Sequence, residues 1–105
     1  MKTILIGLGA VLVSALVLGC VHSTTMVQQG TETFVAEGCH GCHTVGKLGT
    51  PIGPDLSHVG ARYDNDYLVR WLRDPMSVRP AAHMPQLELS EVQIAALAAY
   101  LSSLR

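Results

Sequence analysis

The sequence predicts a small all-α domain from about residue 27 onward. Three segments repeat apolar residues at helical spacing, and no segment alternates apolar and polar residues as a half-buried strand does. The chain has 105 residues, which allows one domain with a small apolar core. Such a domain usually needs a staple, for example a cross-link or a bound group. The formal net charge of −1 gives no basic surface for nucleic acid.

The N-terminal segment predicts export. Lys2 precedes an uninterrupted apolar run from Ile4 to Gly19, which has the order of charged and apolar regions of a signal peptide. The run is short for a membrane span, which needs about 20 apolar residues. It ends in "VLGC", Val17 to Cys20, which resembles the lipobox of bacterial lipoproteins, although Leu18 stands where a small residue is more common.

The lipobox resemblance implies a lipoprotein-type signal peptide over 1–19 and lipidation of Cys20. An uncleaved helical anchor and full secretion are the alternatives. A polar linker is expected over 20–29, followed by the folded domain over 30–105. About eight free residues reach at most ~30 Å. A lipid or helical anchor would therefore hold the domain outside the cytoplasm, close to the periplasmic side of a bacterial membrane.

Apolar periodicity and capping residues predict three helices. The first runs from about Val27 to Gly38. The second has its N-cap at Asn65 or Asp66 and stops before Pro75, because proline cannot continue a helix. The third begins at Ser90, where the sequence "SEVQ" is typical of a capping box.

The motif Cys-x-x-Cys-His occupies residues 39–43 and is the attachment signature of a c-type haem. On a helical turn Cys39 and Cys42 share one face, so their sulfurs can bond the two vinyl groups along one haem edge. His43 can then place its imidazole over the iron. His40 points elsewhere and is expected to be a bystander.

Two other chemistries could use the same residues. Zinc could take Cys39, Cys42 and His43 with His58 as a fourth ligand, but structural zinc sites usually have a second ligand pair of characteristic spacing. A redox dithiol lies beside a strand in a βαβ pattern, and no strand is predicted before Cys39. The sequence therefore favours haem over zinc and over a dithiol.

A second axial ligand is available in "RPAAHMPQLELS", which contains Met84 between His83 and Pro85. Together with the haem motif, this segment resembles the monohaem class I cytochromes c, in which a proline often stands four residues before the ligand methionine, as Pro80 does here. The resemblance covers residues from about 27 to 105 and implies that family's all-α fold around one covalent haem c. Four residues match the crossing of its first and last helices: Gly30, Phe34, Leu97 and Tyr100.

Three other side chains compete with Met84 for the iron. His83 would give bis-histidine ligation by a shift of one residue, Met76 follows the proline that ends the second helix, and His58 lies between the motifs. Met84 lies on no periodic apolar face that would explain it as a core residue. We therefore expect His43 and Met84 to bind the iron.

The resemblance also implies roles for residues around the haem. In the family, the proline carbonyl of a Gly-Pro-x-Leu turn accepts the second N–H of the ligand histidine, so Pro54 would orient His43. Leu56 would then press on the haem face. Arg62, together with either Tyr63 or Trp71, would contact the haem propionates, since buried carboxylates need hydrogen-bond donors.

These features predict a one-electron carrier rather than an enzyme. Both axial positions are filled, so no site remains for a small-molecule substrate, and His/Met ligation raises the reduction potential. The expected partners are redox proteins at the membrane surface, such as a cytochrome reductase complex or a terminal oxidase or reductase, in a respiratory or photosynthetic chain.

The alternative is a fixed subunit of a membrane oxidoreductase, because the sequence is similar to the cytochrome domain fused to some haem-copper oxidase subunits II. A haem peroxidase would require loss of Met84 from the iron.

Overall fold

The computed structural model describes residues 25–105. The predicted signal peptide, the predicted lipidation site Cys20 and residues 21–24 lie outside the described residues. Within the described part the protein is mainly helical, which confirms the predicted fold class. Its helices are α1 (residues 25–36), α2 (Val59–Arg62), α3 (Asn65–Arg73), α4 (Pro75–Val78) and α5 (Glu91–Ser103), with a short 3-10 turn at Cys39–Gly41.

The helices α1, α3 and α5 are the three that the sequence predicts. Helix α1 is already helical at residue 25, two residues before the predicted start at Val27. It ends at residue 36, before Gly38, whose φ of 75° lies in the left-handed region that favours glycine. Gly38 N–H donates to the Val35 carbonyl (3.1 Å). This turn ends the helix and leads directly into the 3-10 turn that begins at Cys39.

The N-cap of α3 is Asp64, so the prediction of Asn65 or Asp66 is wrong by one or two residues. The Asp64 carboxylate accepts a hydrogen bond of 2.8 Å from Tyr67 N–H, which satisfies a donor of the first turn. The predicted stop before Pro75 is confirmed, since α3 ends at Arg73. Pro75 then occupies the first turn of α4, where its missing N–H costs nothing.

The capping box predicted at the start of α5 is confirmed. Ser90 Oγ accepts from Gln93 N–H at 3.1 Å, and Gln93 Oε1 accepts from Ser90 N–H at 2.9 Å. Helix α5 lies at the centre of the packing, with Leu97 and Ala98 fully buried and α2 and α3 packed against it. The buried core brings together residues from α1, α2, α3 and α5: Phe34, Val59, Leu68, Leu72, Ile94, Leu97, Ala98 and Leu101.

Two antiparallel strands that the sequence did not predict follow the 3-10 turn. They are β1 (Thr44–Val45) and β2 (Leu48–Gly49), with Thr44 opposite Gly49 and Val45 opposite Leu48. Strands of two residues are too short to show an alternating pattern. Gly46 and Gly49 have positive φ values of 59° and 105°, which this tight hairpin requires.

Helices α1 and α5 cross at Gly30. A Cβ placed on this glycine would overlap the Ala96 carbonyl and would lie 2.6 Å from Tyr100 Cβ. One turn further along, the rings of Phe34 and Tyr100 meet edge to face, with centroids 5.5 Å apart. The missing side chain therefore lets the two backbones approach closely. Between residues 25 and 105, no helix is long and apolar enough to cross a membrane.

Replacing Gly30 by alanine tests this crossing. Helix propensity alone would stabilise the variant by about 1 kcal/mol. The overlap with α5 should instead destabilise it by about 1–3 kcal/mol. Thermal melting of the haem-loaded protein measures the sign. Gly41→Ala is the matched control, because Gly41 has open space around its Cβ position. A Gly30→Ala variant as stable as the wild type would contradict the close crossing.

Candidate cofactor site

The Cys-x-x-Cys-His motif begins in the 3-10 turn after α1. Cys39 is partly buried against the hydrophobic core, Cys42 is exposed, and both thiols are free. Burial, followed by repulsion from Glu37, raises the pKa of the Cys39 thiol. A redox dithiol needs a thiol whose pKa is lowered so that a thiolate attacks. Cys39 is therefore not the activated thiol that such a pair requires.

The zinc interpretation finds no support in the geometry either. In the part of the chain that the structure describes, no three Cys, His, Asp or Glu side chains come together as a metal site. His58, the fourth ligand that this interpretation required, faces the C-terminal residue, with its Nδ1 3.1 Å from the Arg105 carbonyl oxygen.

The imidazole of His43 is fixed by the turn that follows the hairpin. Its Nδ1 lies 2.7 Å from the Pro54 carbonyl oxygen. Because a carbonyl only accepts, Nδ1 carries the proton and Nε2 is left with a free lone pair. Gly53 lies against the same ring, since a Cβ placed on it would be 2.8 Å from His43 Cε1. A side chain at position 53 would displace the imidazole.

Of the side chains that could be the second iron ligand, opposite His43, Met84 is the one that packs against the core. It is partly buried and packs against the core, whereas His83 is exposed and Met76 is 60 % exposed on α4. Trp71 Nε1–H donates to Met84 Sδ at 3.1 Å. A thioether sulfur has two lone pairs, so this contact leaves one available for a metal.

The Trp71 contact bears on the predicted propionate partners. An indole has one N–H, so Trp71 cannot donate to a propionate while it donates to Met84. Arg62 Nη2 donates to the Asp55 backbone carbonyl at 3.2 Å, and the guanidinium is exposed. Leu56 is partly buried and packs against the core cluster.

Two features of the site were missed from the sequence. The ring of Tyr63, just after α2, stacks on that of Tyr67 in α3, which in turn stacks on Trp71, with centroids 4.2 Å and 6.4 Å apart between successive rings. Their spacing of four residues could have revealed this. The second feature is Asp55, which binds Thr44 through a hydrogen bond of 2.8 Å. An aspartate directly after a turn proline was the available signal.

The donor set fits a c-type haem. It offers two free thiols three residues apart, an imidazole with Nε2 available, and a half-buried thioether. Gly53 clears the space beside the imidazole, as an axial histidine held in one orientation requires. Several apolar residues are only half-buried beside the core, which suits a domain that packs against a bound group: Cys39, Val45, Leu56, Tyr63, Val69 and Met84.

Comparisons with known proteins agree with this chemistry. The family model for cytochrome c matches residues 27–105. A cytochrome c oxidase subunit 2 from Alkalihalophilus pseudofirmus is 37 % identical over 90 residues, which cover 77 % of this chain and 26 % of the relative. The subunit 2 from Bacillus sp. strain PS3 is 34 % identical over 101 residues, covering 78 % of this chain and 27 % of the relative. The chain thus spans about a quarter of the length of these relatives. Its free cysteine pair, its oriented histidine and its match over the whole helical domain show that the chain belongs to the cytochrome c family, whose members transfer electrons through a covalently bound haem c.

Proposed function

We propose that the protein is a one-electron carrier whose single haem c is bound to Cys39 and Cys42 and ligated by His43 and Met84. The hydrogen bond from His43 Nδ1 to the Pro54 carbonyl carries this proposal. It fixes the tautomer that leaves Nε2 for the iron and increases the basicity of the ring. The partial burial of Met84, with its sulfur contacted by Trp71, supports the opposite ligand.

The residues around the haem determine its chemistry. When bound, haem c would supply one-electron exchange. His43 and Met84 would hold its iron and leave no position there for a substrate, and a thioether ligand raises the reduction potential. Trp71 holds the Met84 sulfur toward the site through its N–H. The exposed guanidinium of Arg62, which donates from Nη2 to the Asp55 carbonyl, would use its other N–H groups to pair with a haem propionate.

The proposed location of the carrier is inferred from its N-terminal sequence, and its proposed redox partners are inferred from the relatives. A lipid on Cys20 would hold the carrier at the outer face of the membrane, where reductase and oxidase complexes expose their electron-transfer sites. The relatives named cytochrome c oxidase subunit 2 support a terminal oxidase as one partner. They also favour the second candidate, a cytochrome c subunit that stays bound to such an oxidase.

Substitution of Met84 tests the ligand assignment. The ferric protein should show the weak far-red band of sulfur-to-iron charge transfer, and Met84→Ala should abolish it and open the iron to added small ligands. Met84→His should keep six-coordination and lower the potential, because imidazole favours ferric iron more than a thioether does. His83→Ala is the matched control and should leave the spectrum unchanged. A normal spectrum in Met84→Ala with an altered one in His83→Ala would assign the site to His83 instead.

Cys20→Ser tests the anchor. Mass spectrometry of the wild-type protein should find a lipid-modified Cys20 at the N-terminus. The variant should accumulate as a precursor that still contains residues 1–19. Ser23→Ala, which leaves "VLGC" intact, should be processed normally. Mature wild-type protein that begins with Met1 would support the helical anchor and contradict lipidation.

Gentle solubilisation of native membranes distinguishes a free carrier from a fixed subunit. Transient redox partners share small interfaces, so mild detergent should release most of this cytochrome as a separate small species on size-exclusion chromatography. A shift of the cytochrome to the elution position of a haem-copper oxidase, stable to raised salt, would establish the subunit alternative. Absorption spectra across the column identify both proteins.

A further inference from the structure

The Asp55 carboxylate joins two segments of the site. Its Oδ1 accepts hydrogen bonds of 2.8 Å from Thr44 Oγ1 and 2.8 Å from Ser57 Oγ. Ser57 Oγ also accepts from Gly46 N–H at 2.8 Å. The turn around Asp55 is thereby tied to strand β1 and to the tip of its hairpin by side chains from both segments.

These bonds lie next to the orienting bond of the histidine. Thr44 follows His43 in the chain, and Asp55 follows Pro54. The hydrogen bond between the side chains of Thr44 and Asp55 therefore lies next to the bond from His43 Nδ1 to the Pro54 carbonyl. Each of its two residues directly follows a residue of that bond in the chain. One more bond, from Leu56 N–H to the Thr44 carbonyl (2.9 Å), reinforces the same pairing.

We propose that Asp55 is a positioning residue for the axial histidine: by binding Thr44 and Ser57 it sets the distance between the Pro54 carbonyl and the His43 ring, and thereby the reduction potential. The proposal rests on the proposed ligation by His43. Asp55 itself is exposed and contacts no ligand atom.

The physical link is the basicity of the imidazole. A short Nδ1–H···O bond increases electron donation from the ring to the iron, and this stabilises the ferric state. A loosened turn would lengthen the bond and raise the potential. Hydrogen bonds from Ser57 and then from Thr44 hold the pKa of the Asp55 carboxyl below its usual value, as expected for an ionised acceptor.

Charge is the competing explanation, since a carboxylate near the haem also favours ferric iron. Three variants separate the effects. Thr44→Val removes one hydrogen bond to Asp55, keeps the side-chain shape and leaves the charge unchanged. Asp55→Asn removes the charge but keeps an oxygen that can accept. Asp55→Ala removes both.

The experiment measures the reduction potential of each haem-loaded variant, together with the exchange of the His43 Nδ1 proton with water by NMR. Asp55→Ala and Thr44→Val should both raise the potential and speed the exchange several-fold, with Asp55→Asn shifted less than Asp55→Ala. The double variant Thr44→Val with Asp55→Ala should shift no further than Asp55→Ala, because both changes break the same contact. Ser90→Ala is the control: it removes the N-cap of α5 and should lower stability without moving the potential or the exchange rate.

Two results would overturn the proposal. One is a wild-type potential and exchange rate in both Thr44→Val and Asp55→Ala. The other is an Asp55→Asn shift as large as that of Asp55→Ala with no effect of Thr44→Val, which would assign the effect to charge. The far-red band in each variant reports Met84 ligation, and the haem-shifted ring signals of His43 report its ligation. Loss of those signals in the wild type would refute the proposed ligands separately from the role of Asp55.

Discussion

The close packing around helix α5 is the constraint on which the rest of the domain depends. Helix α5 is buried on several sides, so the backbones of the neighbouring helices must pack closely against its own backbone. Gly30 on α1 and Gly60 on α2 make this possible, since a side chain on either would overlap a carbonyl of α5, and Gly60 N–H donates to the Leu104 carbonyl at 2.7 Å. With α1, α2 and α3 held in this way, the segments between them are placed where the site forms.

The sequence predicted the main helices well because their signals are local. Apolar periodicity, a capping box at Ser90 and a helix-stopping Pro75 each act within a few residues of where they are read. The errors have equally local causes. Asp64 caps α3 in place of its neighbours because adjacent Asn and Asp residues compete for one position, and a two-residue strand has no period to detect.

The site was predictable only where the family pattern specifies a role. The motif led to Cys39, Cys42 and His43, and the turn motif led to Pro54, whose carbonyl does lie at the His43 ring. Contacts made between side chains far apart in the chain were not accessible. The N–H of Trp71 donates to Met84 rather than being free for a propionate, because folding brings together segments that no spacing rule connects. For Asp55 only its position after a turn proline gave a signal, and its partner Thr44 could not be predicted.

The crossing of α1 and α5 joins the two ends of the described chain, whereas the haem motif is confined to five consecutive residues. Local opening of the domain affects the helix crossing and the haem motif differently. Domains open locally in cooperative units smaller than the whole fold, and one such opening would separate α1 from α5. A cofactor bonded within residues 39–43 would stay attached through these events and be ready when the helices close again. Retention of a haem bonded to Cys39 and Cys42 would therefore not depend on the stability of the fold, unlike that of a cofactor held by packing alone.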